Sequence, residues 1–256
     1  MDKPDEICQK VGCANCRNEP TLSFDFSMAF QPIVECEGRK IFGYEALVRG
    51  MNNESAWSII SQVNDNNRYA FDQLCRVKAI ALAAKLDIQQ FLSINFLPNA
   101  IYKPERCIRT TLEAAKKYGF PTSRIMFEFT EVEKVDDTKH IKLVVEYYRS
   151  LGFLTATDDF GAGYSGLNLL ADFQTNIIKL DMALVRNIHK DKSRQTIVNN
   201  CLRMFQELNI RPLAEGIETM SEYQWLRDAG VSLMQGYLFA RPSFESLPEV
   251  DFSLLN

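Results

Sequence analysis

The sequence predicts an α/β fold: a single TIM-like (β/α)8 barrel in which one strand runs against the other seven. Three observations carry this. Short β-branched and aromatic runs alternate with helical stretches from about residue 40 to 242, and strand-helix alternation enforces parallel pairing, which eight units satisfy by closing into a barrel. The first two runs are joined by only a few residues around Gly38, a link too short for anything but an antiparallel hairpin. Six runs besides the one at 154–159 end in an acid, amide or lysine, as expected where strand ends form the rim of a pocket.

In order, FDFSMAFQPIV (24–34) and IFGYEALVRG (41–50) are the hairpin strands. NNESAWSIISQVNDNN (52–67) is polar at both ends and reads as loops around a short helix. YAFDQLCRVKAIALAAKL (69–86) has helical spacing, with Leu74, Val77, Ala81 and Ala84 on one face. FLSINF (91–96) is a strand, and 104–118 a helix opened by Pro104 and stopped by Gly119. Strand 124–131, helix 138–151 with Gly152 as its stop, and strand LTATDD (154–159) follow. A short helix near 165–171, strand 176–181, helix 192–208, strand 209–216, helix 221–230 and a last strand 232–242 complete the alternation. The expected organisation is a polar leader over 1–22 and one domain over 23–256.

Composition is that of an ordinary globular protein, with 46% hydrophobic and 24% charged residues over 256 positions. A net charge of -4 argues against a long nucleic acid as partner, which needs a basic surface. No apolar run approaches the roughly 20 residues that span a bilayer, so no membrane association is expected and the reading is cytoplasmic. Of seven cysteines, Cys36, Cys75, Cys107 and Cys201 fall in apparent core elements. Cys8, Cys13 and Cys16 lie in the leader; without a second Cys pair or a nearby histidine they favour an inert segment over a metal or redox site. His140 and His189 read as surface residues.

The chemistry concentrates at Asp158-Asp159, followed by glycines at 161, 163 and 166. Adjacent strand side chains point to opposite faces, so this pair suits neither a solvated stripe nor a core, but it suits a strand end serving two cations about 4 Å apart. A helix cap needs only one Asp. Glu45, Asn95, Glu128, Lys179 with Asp181, Glu215 and Gln235 end the other runs. Five of these carboxylates and an amide, with no His or Cys among them, form a hard oxygen site for Mg²⁺ or Mn²⁺, two per site, rather than for zinc. Two such ions can ionise a water and stabilise the oxygens of an in-line phosphoryl displacement, with Lys179 close to that water or to the phosphate.

Glu45-Ala46-Leu47, with FQPIV (30–34) before it, resembles the signature of the EAL family of cyclic di-GMP phosphodiesterases. The likeness continues in order through SINF (93–96), FEFTE (127–131), DDFGAGYSGL (158–167), IIKLD (177–181), AEGIET (214–219) and QGYLFARP (235–242). It implies a barrel with one reversed strand and hydrolysis of cyclic di-GMP to linear pGpG. By that resemblance Glu45, Asn95, Glu128 and Asp158 hold one metal; Asp158, Asp159 and Glu215 hold or approach the second. Lys179, Glu215 and Glu45 are the catalytic set, with the proton acceptor open. Gln31, Leu47, Arg49, Asp181 and Gln235 bind substrate, Glu131 anchors a loop linking dimerisation to metal binding, and a homodimer is implied. Ala162 stands where the family often has Thr, and the segment after Arg49 resembles EAL domains paired with flavin-based light sensors, although no such sensor is read here. Two alternatives stay open: a non-catalytic receptor or protein-interaction module, from which the intact acidic set argues away, and a general two-metal nuclease, which the acidic composition disfavours.

Overall fold

The computed structural model describes residues 22–97, 100–101, 103–130, 138–163 and 166–255. The leader cysteines and Glu131 lie outside the described residues. β1 (Ser27–Glu35) and β2 (Lys40–Arg49) form the expected hairpin, Gln31 facing Glu45 across it. β2, β3 (Phe91–Asn95), β4 (Ile125–Thr130), β5 (Leu154–Phe160), β6 (Ile177–Leu180), β7 (Arg211–Ala214) and β8 (Leu233–Met234) then pair in parallel, and β1 closes the barrel antiparallel to both β2 and β8.

The helices are α1 (Ala56–Ile60), α2 (Arg68–Lys85), α3 (Pro104–Tyr118), α4 (Thr138–Ser150), α5 (Gly166–Asp172), α6 (Met182–Val185), α7 (Lys192–Glu207) and α8 (Met220–Asp228). Their ends carry the expected chemistry. Gly119 takes the left-handed conformation after α3, at φ +70°, where a side chain is disfavoured. Asp191 caps α7 by accepting from the Ser193 and Arg194 N–H groups, and Thr219 with Glu222 forms a capping box on α8.

Three expectations are corrected. The last strand is not continuous over 232–242: pairing with β7 stops at Met234, and the chain loops before β9 (Ser243–Phe244) joins the same edge of β1 at Ala29 and Phe30. In α2 the buried face is wider than a single stripe. Leu74 and Val77 are buried but Ala81 and Ala84 only partly, while Asp72, Gln73, Arg76, Ile80 and Ala83 are buried, because α2 packs on the barrel and against α3 together. Both histidines are half-buried rather than superficial: His140 contacts the Ile101 carbonyl, and His189 Nδ1 is buried.

The barrel interior is built in two layers two residues apart along each strand, since residues i and i+2 share a face. Ile33, Met126, Ala156, Ile177, Leu213 and Leu233 form an apolar plug. On the same faces, two positions nearer the pocket, stand Gln31, Glu128, Asp158, Lys179, Glu215 and Gln235. Two larger apolar clusters fill the space between barrel and helices. The plug seals one end, so the polar layer faces a cleft at the other. Among the described residues no helix is long and apolar enough to cross a membrane.

Candidate active site

The cleft holds about 250 Å³ and is lined by Gln31, Glu45, Asp159, Asp181, Glu215 and Gln235, joined by Met182, Gly216, Glu218, Gly236 and Tyr237. Beneath it lies the acidic cluster. β3 and β4 place Asn95 beside Glu128 in register, and β2 brings Glu45 alongside. Glu45, Glu128 and Asp158 have carboxylate oxygens within 4.8 Å of one another, as do Asp158, Asp159 and Glu215. Asp158 belongs to both groups.

Two adjacent aspartates serve one pocket because β5 is irregular there. Three β5 steps from Thr157 to Phe160 match two β6 steps from Ile178 to Leu180, a bulge, and Asp159 sits at φ +55°. The Asp159 N–H donates to Asp158 Oδ1 at 2.9 Å, which fixes the turn. A bulge re-aims a side chain that a regular strand would send to the opposite face.

Lys179 occupies the centre. Its ammonium lies 2.7 Å from Glu215 Oε1, 2.8 Å from Glu128 Oε2, 3.1 Å from Asp158 Oδ1 and 3.6 Å from Glu45 Oε2. Burial opposes its charge, but the ring of carboxylates outweighs burial and holds its pKa well above the ordinary lysine value. Lys179 therefore stays cationic. The carboxylates respond in the other direction: burial, reinforced by their mutual repulsion, pushes Glu128 up to about 8 and Asp159 up to about 6, and raises Glu215 well above the usual range.

One ammonium cannot balance five carboxylates, and Glu128 Oε1 is buried with no hydrogen-bond partner among the described residues. A buried carboxylate oxygen without a donor is costly, and a cation relieves it. The residues thus fit hard divalent ions, with Glu45, Asn95, Glu128 and Asp158 able to hold one and Asp158, Asp159 and Glu215 another.

Glu45 is oriented from both sides: Asn95 Nδ2 donates to Oε1 at 3.0 Å and Gln235 Nε2 to Oε2 at 2.8 Å. Gln235 Nε2 also reaches Gln31 Oε1 at 3.2 Å, and Gln31 Nε2 donates to the Ala240 carbonyl at 3.2 Å. Asp181 caps α6 through the Ala183 N–H and borders the cleft. Leu47 and Arg49 follow Glu45 on the same face of β2 but do not line the cleft; Arg49 Nη1 donates to the Val48 carbonyl at 2.7 Å.

Sequence reasoning missed the rim. Arg186 and Glu218 form a paired salt bridge beside the cleft, and Arg241 stacks 4.2 Å from the centre of the Tyr237 ring. Gly216, Glu218, Gly236 and Tyr237 adjoin predicted positions, which was the available signal. Met182 comes from a four-residue helix too short to show periodicity.

The EAL domain family model matches residues 20–242. The chain belongs to the EAL family. Among curated relatives it is 30% identical to the blue light- and temperature-regulated antirepressor BluF of Escherichia coli, over 92% of this chain and 58% of BluF. It is 28% identical to the cyclic di-GMP phosphodiesterase RocR of Pseudomonas aeruginosa, over 89% of this chain and 59% of RocR. The EAL chain thus spans rather more than half the length of these relatives. Among solved structures, a standalone versatile EAL protein from Vibrio cholerae O395 in its c-di-GMP-bound form is 71% identical, with a TM-score of 0.89, covering 91% of this chain and 99% of that one. Klebsiella pneumoniae BlrP1, solved as a manganese and cyclic di-GMP complex, is 34% identical with a TM-score of 0.83, covering 91% of this chain and 60% of BlrP1.

Proposed function

We propose that this EAL protein is a divalent-metal-dependent phosphodiesterase that hydrolyses cyclic di-GMP to linear pGpG. The observation that carries the reading is the complete acidic set: two carboxylate triads sharing Asp158 around one buried lysine, with a Glu128 oxygen that has no donor among the described residues. A receptor that had lost turnover would be free to lose any of these groups. Relatives named as phosphodiesterases and a cyclic di-GMP-bound neighbour support the substrate.

Glu45, Asn95, Glu128 and Asp158 would hold one Mg²⁺ or Mn²⁺, and Asp158, Asp159 and Glu215 would hold the second. When bound, such ions neutralise the phosphodiester and lower the pKa of water for in-line displacement. The reaction adds water to phosphorus as the P–O3′ bond breaks; one water proton passes to the site and the departing 3′ oxygen takes up a proton, giving a 5′-phosphate and a 3′-hydroxyl. Lys179 would orient the water and the non-bridging oxygens, and Glu215, 2.7 Å from its ammonium, is a candidate acceptor for the water proton. Gln235 and Asn95 hold Glu45 in place; Gln31, Asp181 and Gln235 meet the part of the dinucleotide inside the cleft, and Leu47 and Arg49 the part that extends beyond it. Glu131 anchors the loop after Asp158-Asp159, which links metal binding to dimerisation in a cytoplasmic homodimer.

A second reading, binding without turnover, draws on the antirepressor name of BluF. Chromatography of cyclic di-GMP incubated with purified protein and Mg²⁺ or Mn²⁺, beside Glu45→Ala, separates the two. Metal-dependent pGpG that disappears in Glu45→Ala supports the enzyme; tight binding with no product in the wild type supports the receptor.

A further inference from the structure

The inward-facing ligands on β3 and β4 have outward-facing neighbours, Phe96 beside Asn95 and Phe127 beside Glu128. A guanidinium from α2 is packed against both rings: Arg76 lies 5.9 Å from the centre of Phe96 and 5.4 Å from that of Phe127. Arg76 is 0% exposed and pairs with Asp72, one helical turn earlier and 2% exposed. Its Nη1 donates to the buried Tyr148 hydroxyl of α4 at 3.2 Å. The second carboxylate oxygen of Asp72 accepts the Leu97 N–H at 3.0 Å, two residues past Asn95. The Phe96 N–H between them donates to the Glu128 carbonyl at 2.9 Å.

Burying two charges is expensive, and apolar residues of the same volume usually stabilise a fold as well or better. Stability is therefore a weak reason for the pair. Its contacts give a stronger one: one end grips the backbone that follows Asn95, and the other fixes the rings flanking Asn95 and Glu128. We infer that Asp72 and Arg76 are positioning residues for the divalent-ion site, setting where Asn95 and Glu128 present their oxygens. The inference rests on the metal-dependent reading proposed above.

The test is Mn²⁺ binding to the full chain, followed by electron paramagnetic resonance of the free ion, with thermal melts on the same samples. The wild type is compared with Asp72→Asn and with the double variant Asp72→Leu/Arg76→Met, which replaces the pair by apolar groups. The double variant is expected to melt cooperatively near the wild-type temperature while its Mn²⁺ affinity falls tenfold or more, the usual loss when groups behind metal ligands are removed. Asp72→Asn, which leaves Arg76 without its counter-charge, is expected to lose both. A folded double variant within twofold of wild-type affinity overturns the inference. A wild type that binds no Mn²⁺ contradicts the metal-dependent reading instead, and the inference with it. A second measurement needs no variant, because coupling is reciprocal. Saturating Mn²⁺ should slow hydrogen exchange at the Phe96 and Leu97 amides of the wild type at least threefold; unchanged exchange there overturns the inference.

Discussion

Replacing Lys179 with methionine separates charge balance from catalysis. In the metal-free protein the ammonium is 0% exposed and contacts Glu128, Glu215 and Asp158 within 3.1 Å, with Glu45 at 3.6 Å. Removing one member of a buried ion pair costs about 3–5 kcal/mol, because the remaining charge loses its compensation. At 2–4 °C per kcal/mol for a domain of this size, metal-free Lys179→Met should melt roughly 6–20 °C below wild type. Divalent ions supply the missing charge without competition from the ammonium, so saturating Mn²⁺ should raise the melting temperature of the variant more than that of the wild type. Hydrolysis should stay depressed at least a hundredfold at saturating metal, since charge is restored but the group facing the water is not. Calorimetry with and without Mn²⁺, beside product chromatography, reads all three quantities. Equal metal-free melting temperatures, or a smaller Mn²⁺ response in the variant, would refute the charge-balance argument.

The pH dependence has a definite sign. Burial lifts Glu128 to about 8, so the folded metal-free protein holds its proton more tightly than the unfolded chain; that stability is complete below about pH 4.5 and is lost as pH rises through 8. The melting temperature of wild type minus that of Glu128→Gln should fall between pH 5 and 8.5, and a difference flat with pH contradicts the burial argument. Mn²⁺ affinity should rise over the same interval as Glu128 and Asp159, the latter near 6, release protons; titration calorimetry at several pH values checks this. Gly216→Ala should lower the melting temperature by roughly 2–8 °C, because Gly216 sits at φ +66° with its added methyl 2.4 Å from Met182 Cβ, and left-handed backbone costs a substituted residue about 1–2 kcal/mol. An unchanged melt would mean that α6 shifts freely.

The barrel and its reversed strand were legible because strand-helix alternation and the short link at Gly38 stand in the sequence, and on six strands an apolar plug residue lies two positions from a polar one at the pocket. Ile33 with Gln31, Met126 with Glu128 and Leu213 with Glu215 are instances. The β8 boundary was not, because Gly236 and Tyr237 extend an apolar run whose pairing ends for tertiary reasons: the Ile217 and Leu238 N–H groups bond across the loop to the Gln235 and Ile217 carbonyls. The convergence of Asp158 and Asp159 depends on a bulge that alternation rules do not contain. Asp72 and Arg76 escaped notice for a different reason. At i, i+4 on a helix they look like an ordinary exposed pair, and only the packing of α2 on two sides buries them.

The most direct test of the account is to strip the protein of metal, add cyclic di-GMP, and titrate Mn²⁺ while measuring pGpG formed against Mn²⁺ bound per chain. The account predicts no product without metal and a rate that reaches its plateau at two ions per chain. Dinucleotide bound at every Mn²⁺ occupancy with no pGpG released would contradict it.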